Sequence, residues 1–228
     1  MLDFPFEIID LTHTLMPNIP TWDVSCGFYH NLKYDYDMEA EFKFKTHQIN
    51  MQEGIGTHMD SPAHCFPGMQ TIDQIDLNDL IAPCYVIDIS SIANKDYALS
   101  VSDIKDFEAK YESIKPNSFV MVYTGWDKYW NDAAKYRNNH EFPSISKEAA
   151  EYLLSLNIKG IGIDTLSPDN PKNGFPVHNI MLGNNKYIFE NVANLSSMPQ
   201  VSSYILAAPM KIEGGTEAPI RLMGLVRK

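Results

Sequence analysis

Residues 54–64 read GIGTHMDSPAH, from Gly54 to His64. Within seven of these residues the chain supplies His58, Asp60 and His64, set among glycine, threonine, serine and proline. In an extended segment residues two apart point to the same side, so His58 and Asp60 can reach one ion. His64 follows Pro62, whose fixed φ suits the first position of a helical turn, with Asp60 or Ser61 able to cap it. A strand running into such a turn presents all three groups to one cleft. Imidazole with carboxylate suits zinc, manganese or iron, whereas a structural thiolate site needs a convergent cysteine set. Each residue also has a plainer use: Asp60 as a helix cap, His64 as the partner of a backbone carbonyl.

Immediately upstream, EFKFKTHQINM (Glu41–Met51) alternates with period two, which predicts a strand. Phe42, Phe44, Thr46 and Gln48 share one face; Glu41, Lys43, Lys45 and His47 share the other. Further out, FEIIDLTHTL (Phe6–Leu15) reads as a strand, followed by the turn-rich MPNIPTWD. APCYVIDIS (Ala82–Ser90), NSFVMVYTG (Asn117–Gly125) and IKGIGID (Ile158–Asp164) are further β-rich runs. Two helices are predicted between them. SVSDIKDFEAKYESI can be capped by Ser100 or Ser102; SKEAAEYLLSLN can be capped by Ser146, with Tyr152, Leu153 and Leu156 on its apolar face. SSYILAAPMKI and PIRLMGLV close the chain as strands joined across Gly214–Gly215, a hairpin or tight-turn signal. The expected class is mixed α/β and β-rich, with one domain over residues 1–228.

The formal net charge is −11, from 29 acidic and 18 basic residues, which argues against nucleic acid or an anionic membrane as partner. The first ten residues lack the basic and apolar regions of a signal peptide, and no apolar run approaches the roughly 18 residues of a membrane span. Cys26, Cys65 and Cys84 form no CxxC and are odd in number. A reduced, cytoplasmic setting is expected. There is no glycine-rich phosphate loop after a strand and no G-x-S-x-G elbow.

The segment around residues 54–64, with IIDLTHTL upstream and KIEGGTEAPIRLMGL near the end, resembles the metal-dependent cyclase family that includes bacterial arylformamidases (kynurenine formamidases). That family's signature is H-x-G-T-H-x-D-x-P-x-H, and the likeness extends over nearly the whole chain. It implies a swivelling β/β/α fold, a homodimer or homotetramer, and a divalent metal such as zinc or manganese. By the resemblance, His58 and Asp60 are metal ligands and His64 is the group that moves protons. His178 and Glu190, twelve residues apart in FPVHNIMLGNNKYIFENVANL, fall on the downstream metal ligands. Trp22, in IPTWD, falls on a substrate-pocket tryptophan. Read as residues alone, His178 could equally cap or pack a turn, Glu190 could sit at the surface and Trp22 in the core.

Gly54 departs from the signature, because glycine stands where its first histidine belongs. Three outcomes follow: one metal on a subset of the remaining ligands; replacement by a neighbour such as Gln52, Glu53 or His47; or loss of metal and activity. One ion per chain is expected, although Asp60 and Glu190 could bridge two. The expected function is hydrolysis of a small amide, ester or lactam, of which an N-formylkynurenine-type substrate is one example, with His64 as general acid and base. The alternatives are a catalytically inactive small-molecule-binding relative and a metal-assisted lyase.

Overall fold

The computed structural model describes residues 4–24, 27–39 and 41–228. In chain order its strands are β1 (Phe6–Asp10), β2 (Phe28–Tyr34), β3 (Thr46–Met51), β4 (His58–Asp60), β5 (Ile81–Asp88) and β6 (Ala98–Leu99). They continue as β7 (Phe119–Tyr123), β8 (Ser144–Ile145), β9 (Gly160–Ile163), β10 (Tyr187–Glu190), β11 (Ser203–Pro209) and β12 (Glu217–Arg227). The helices are α1 (Val101–Lys110), α2 (Ala133–Arg137), α3 (Lys147–Ser155) and α4 (Pro176–Leu182).

β4 pairs antiparallel with β10 on one side and with the start of β12 on the other. The sheet therefore closes into a ring in the order β12, β11, β5, β7, β9, β10, β4, with β1 added along β12. β5, β7, β9 and β10 are parallel, and parallel neighbours need a crossover. α1, α3 and α4 supply those crossovers.

The alternation of side chains sorts the core into two layers. Val120, Val122, Ile161 and Ile163 face the helices and meet Ile104 of α1 and Leu153 of α3. Phe119, Met121 and Phe189 point into the ring beside Met59, the middle residue of β4. Gly162 leaves room for that inner layer: a Cβ there would stand only 3.3 Å from the Cβ of Phe189. The rings of Phe119 and Phe189 lie 5.0 Å apart, so Phe189→Ala should cost about 3–5 kcal/mol.

Local signals fix the helix starts. Ser100 caps α1: its hydroxyl accepts from the Asp103 N–H at 3.2 Å while Asp103 accepts from the Ser100 N–H at 2.7 Å. Ser146 caps α3 by accepting from the Ala149 N–H at 3.1 Å. Each cap satisfies donors that the first turn leaves open, and that of α1 is reciprocal.

Two strand expectations change. The run Phe6–Leu15 stays a strand only to Asp10. The alternating run 41–51 becomes a strand only from Thr46 and pairs solely with β2, with nearly all its residues exposed. The base of this pair packs on the body, with Phe28 and Met51 in one cluster with Ile55 and Trp126, while the rest is exposed. Gly214–Gly215 does lie between antiparallel strands, yet β11 pairs with β12 only from Pro209 opposite Ile220. Residues 217–219 pair with β4 instead, which brings the head of β12 to residues 58–60. No helix of the described residues is long and apolar enough to cross a membrane.

Candidate metal centre

β4 is the floor of the site. His58 and Asp60 share one face while Met59 enters the core, as the period of two requires. The register sets Glu190 opposite His58 and Glu217 opposite Asp60, so three strands deliver four polar side chains to one place. α4 adds His178, and a 3₁₀ turn at Pro62–His64, entered through Ser61, adds His64. His58, Asp60, His178 and Glu190 are all buried, and Asp60 is only 1% exposed.

The donor atoms converge at separations longer than an ordinary hydrogen bond. His58 Nε2 is 3.5 Å from Asp60 Oδ1, 3.3 Å from Glu190 Oε2 and 3.7 Å from Glu217 Oε1. His178 Nε2 is 3.6 Å from Asp60 Oδ2 and 3.4 Å from Glu190 Oε1. Two groups of donors result, His58–Asp60–Glu217 and Asp60–His178–Glu190, with Asp60 common to both. Within each, the donor atoms lie within 4.8 Å of one another.

Both imidazoles are held from behind. The carbonyl of Gly56 accepts from His58 Nδ1 at 2.9 Å, and Asp169 Oδ2 accepts from His178 Nδ1 at 2.7 Å. Each ring therefore carries a proton on Nδ1 and turns Nε2 inward, the orientation that metal-ligating histidines use. Gly56 reaches this pose with φ of +64°, a region open to glycine, and its carbonyl also accepts from Asn191 Nδ2 at 2.9 Å. Asp169 also accepts from the backbone N–H groups of Val177 and His178 at 2.9 and 3.0 Å, capping α4.

Asp60 decides whether a cation fits. Both its carboxylate oxygens are buried without a hydrogen-bond partner. Burial and the neighbouring Glu190 charge raise its pKa. Burial opposes charge on His58, yet Glu190, Asp60 and Glu217 together raise its pKa to about 10. His178 is likewise driven well up against burial by Asp169, Asp60 and Glu190. Glu190, despite burial, is lowered to about 2 by the two imidazoles. A buried, unpartnered carboxylate is costly, and carboxylate with imidazole is the donor set of a divalent cation. The residues fit such an ion.

Above this floor a cleft of about 590 Å³ opens, with Trp22 and Phe175 at its mouth. Their ring centroids lie 6.1 Å apart at 52°, and His140 stacks on Trp22 at 4.1 Å while its Nε2 meets the Trp22 carbonyl at 3.0 Å. His64 lines the cleft, with Nδ1 3.4 Å from Glu217 Oε2, a contact that raises its pKa.

Among curated proteins the chain is 34% identical to the isatin hydrolase of Roseibium aggregatum, over 100% of this chain and 95% of that protein. The model of the Cyclase family matches residues 9–170. The chain belongs to the cyclase family. A solved structure of isatin hydrolase A from Ralstonia solanacearum superposes on this cyclase with a TM-score of 0.90 at 31% identity, covering 97% of this chain and 92% of that one. The kynurenine formamidase of Erythrobacter litoralis is 25% identical over 92% of this chain and 89% of that protein. The expected β-rich α/β cyclase fold and the expected class, a metal-dependent hydrolase acting on carbon–nitrogen bonds, agree with these relatives.

The structure thus brings together His58, Asp60, His64, His178 and Glu190, and sets Trp22 at the mouth of the same cleft. It answers the question of Gly54 differently from the sequence. His47 lies on the exposed β2–β3 ribbon with its ring 4.1 Å from that of His30, tilted by 32°. Glu53 turns away, its Oε2 accepting from the Thr216 N–H at 3.0 Å. Gln52 lines the cleft. The carboxylate that fills the space beside Gly54 is Glu217, which the sequence reading passed over as part of a hairpin. Its only local signal is an acidic residue opening a strand behind two glycines. Asp169 and Phe175 were likewise unread, because an acid in a proline-rich loop and an isolated aromatic have commoner uses.

Proposed function

We propose that this protein hydrolyses small neutral N-aryl amides, with a bicyclic lactam of the isatin kind as the leading substrate. The observation that carries the reading is the position of the His58–Asp60–His178–Glu190 cluster beneath an aromatic mouth in a cleft of ligand size. Trp22 and Phe175 suit a flat aryl ring held above the cluster. The names of two relatives, isatin hydrolase and kynurenine formamidase, both point to aryl amide carbonyls. Among the described lining residues there is no lysine or arginine. A neutral lactam needs no cationic partner, whereas the amino-acid carboxylate of N-formylkynurenine does, which favours the lactam.

His58, Asp60, His178 and Glu190 would hold the divalent cation, zinc or manganese, and a second ion is compatible with the shared Asp60. When bound, such a cation polarises a carbonyl and makes water a stronger acid. His64 takes the proton released as water adds to the carbonyl, and returns it to the departing nitrogen. Glu217 holds the Nδ1 side of His64, which leaves Nε2 for that transfer. His140 keeps Trp22 in place at the mouth. The acidic cleft, containing Asp23, Glu190 and Glu217, repels the carboxylate product of ring opening.

Gly54 is the one feature of the sequence that favours an inactive relative, and the carboxylate of Glu217 beside it weakens that alternative. A homodimer or homotetramer belongs to the same reading. The β2–β3 ribbon leaves Tyr29, Leu32, Tyr34 and Ile49 exposed, which supports a contact between copies. Light scattering on the purified chain tests this.

The substrate test is direct. Metal-loaded protein is assayed with isatin and with N-formylkynurenine under the same conditions. A kcat/KM at least about tenfold higher for isatin is expected, a transition-state preference of about 1.4 kcal/mol. The reverse order would sink the lactam assignment, and failure on every amide offered would sink the hydrolase reading.

A further inference from the structure

We propose that Glu217 is a metal ligand in this protein and that Gly54 is glycine because the Glu217 carboxylate occupies its side-chain space. This rests on the reading that the cleft binds a divalent cation, and goes beyond it by naming an additional ligand and its steric counterpart.

Four observations carry it. First, a side chain at position 54 and the Glu217 carboxylate where it stands cannot share one space, so the carboxylate would have to move. A Cβ added at Gly54 would overlap Glu217 Oε1 and stand 2.9 Å from Cδ and 3.3 Å from Oε2. The backbone at Gly54 lies outside the left-handed region, so the need for glycine there comes from that side chain and not from φ.

Second, Glu217 and Asp60 are register partners on adjacent antiparallel strands, which places two carboxylates on one face directly opposite each other. Like charges opposite each other destabilise a sheet, and a cation between them reverses the sign. Third, neither buried oxygen of Asp60 has a protein partner, and Glu217 Oε1 and Asp60 Oδ1 both face His58 Nε2, at 3.7 and 3.5 Å. Those separations exceed hydrogen-bond lengths and leave coordination space among three donors of suitable chemistry.

Fourth, the head of β12 is anchored from outside the cluster. Glu53 Oε2 accepts from the backbone N–H groups of Thr216 and Glu217, at 3.0 and 3.4 Å. Ser61, the residue after β4, donates twice to the Thr216 carbonyl, at 3.0 Å from its N–H and 2.8 Å from its hydroxyl. The backbone at Glu217 is thus held in place, which lowers part of the ordering cost of binding. One carboxylate then serves two groups, with Oε1 toward the ion position and Oε2 toward His64.

The test uses the full chain without a polyhistidine tag, stripped with chelator and titrated with manganese or zinc ions. Ions per chain are read by elemental analysis and affinity by calorimetry. E217Q keeps the side-chain volume and is expected to bind at least about tenfold more weakly, or one ion fewer per chain. G54A is expected to produce the same defect with Glu217 intact, because its methyl displaces the carboxylate. The double variant G54A/E217Q is expected to be no weaker than the worse single variant, since both act on one interaction. Wild-type binding by E217Q overturns the ligand assignment, and wild-type binding by G54A overturns the exchange of space. A wild-type chain that takes no metal at all sinks the metal-hydrolase reading and this proposal together, an outcome distinct from the other two.

Discussion

The floor of the cleft and the β2–β3 ribbon carry similar letters in opposite settings. Both are short strands with a histidine and polar residues at alternate positions. On β4, His58 and Asp60 are buried among β10, β12 and α4, and neither Asp60 oxygen finds a hydrogen-bond partner. On the ribbon, the rings of His30 and His47 lie 4.1 Å apart in exposed positions, where water can satisfy whatever the protein does not. The lesson is that the residue types do not make a metal centre. Burial does, by making an unpartnered carboxylate costly enough that a cation becomes its natural partner.

The comparison can be broken most severely at its centre. Asp60→Ala removes the donor shared by both ligand groups, and about 10³-fold or greater loss of kcat/KM is expected, comparable to removing a major electrostatic group. Elemental analysis should show metal lost in parallel. Retention of both metal and turnover would mean that the orphaned carboxylate is not the organising group. His47→Ala, the ribbon's equivalent, should leave metal content and turnover as they were.

His64→Ala separates proton transfer from metal holding. A fall in kcat of about 10²–10³-fold is expected, with metal per chain unchanged. Steady-state kinetics beside elemental analysis checks this, and unaltered kcat at saturating metal would remove His64 from the chemistry.

His13 sharpens the contrast from another side, since it is shielded and burial governs its charge. It stacks on Trp130 at 3.8 Å, and burial lowers its pKa to about 4, whereas His58 among its acids is raised to about 10. A histidine held neutral in the fold contributes stability that is full above its unfolded value near 6.5. That contribution is lost as pH falls from there toward 4, because the unfolded chain gains the proton first. Allowing for its partial contact with solvent, about 2 kcal/mol is expected to disappear over that window. His13→Gln should flatten this part of the pH dependence in urea unfolding at pH 7 and pH 4.5. Parallel curves for variant and wild type would show that the ring is not held neutral.

The smallest effect is expected on the ribbon itself. Ile49→Lys should change the stability of a single chain by no more than about 0.5 kcal/mol, as surface substitutions do. The same change should shift the molecule toward a smaller species in light scattering if the ribbon joins copies.

The local features were legible because they depend on neighbours in sequence. Ser100 and Ser146 cap the helices they precede, and Pro62 opens the turn that carries His64. Spacing alone put His58 and Asp60 on one side of a strand. His178 and Glu190 were reachable only through resemblance, because an acid at the end of YIFE looks the same whether it faces water or a core. The alternating run at 41–51 shows the converse, a pattern that predicts a strand correctly from Thr46 but says nothing about what covers it.

By itself, then, the sequence determined the class of the fold, the helix starts and the chemistry offered by residues 58–64, all set by periods and caps within a few residues. Tertiary structure alone decided that Asp60 is without a partner and that Glu217 fills the space beside Gly54. Those facts depend on strand register and ring closure, which bring residues more than 150 positions apart onto one face (Gly54 and Glu217 are separated by 163). No window along the chain contains both members of such a pair, so only the folded register could show them as one site.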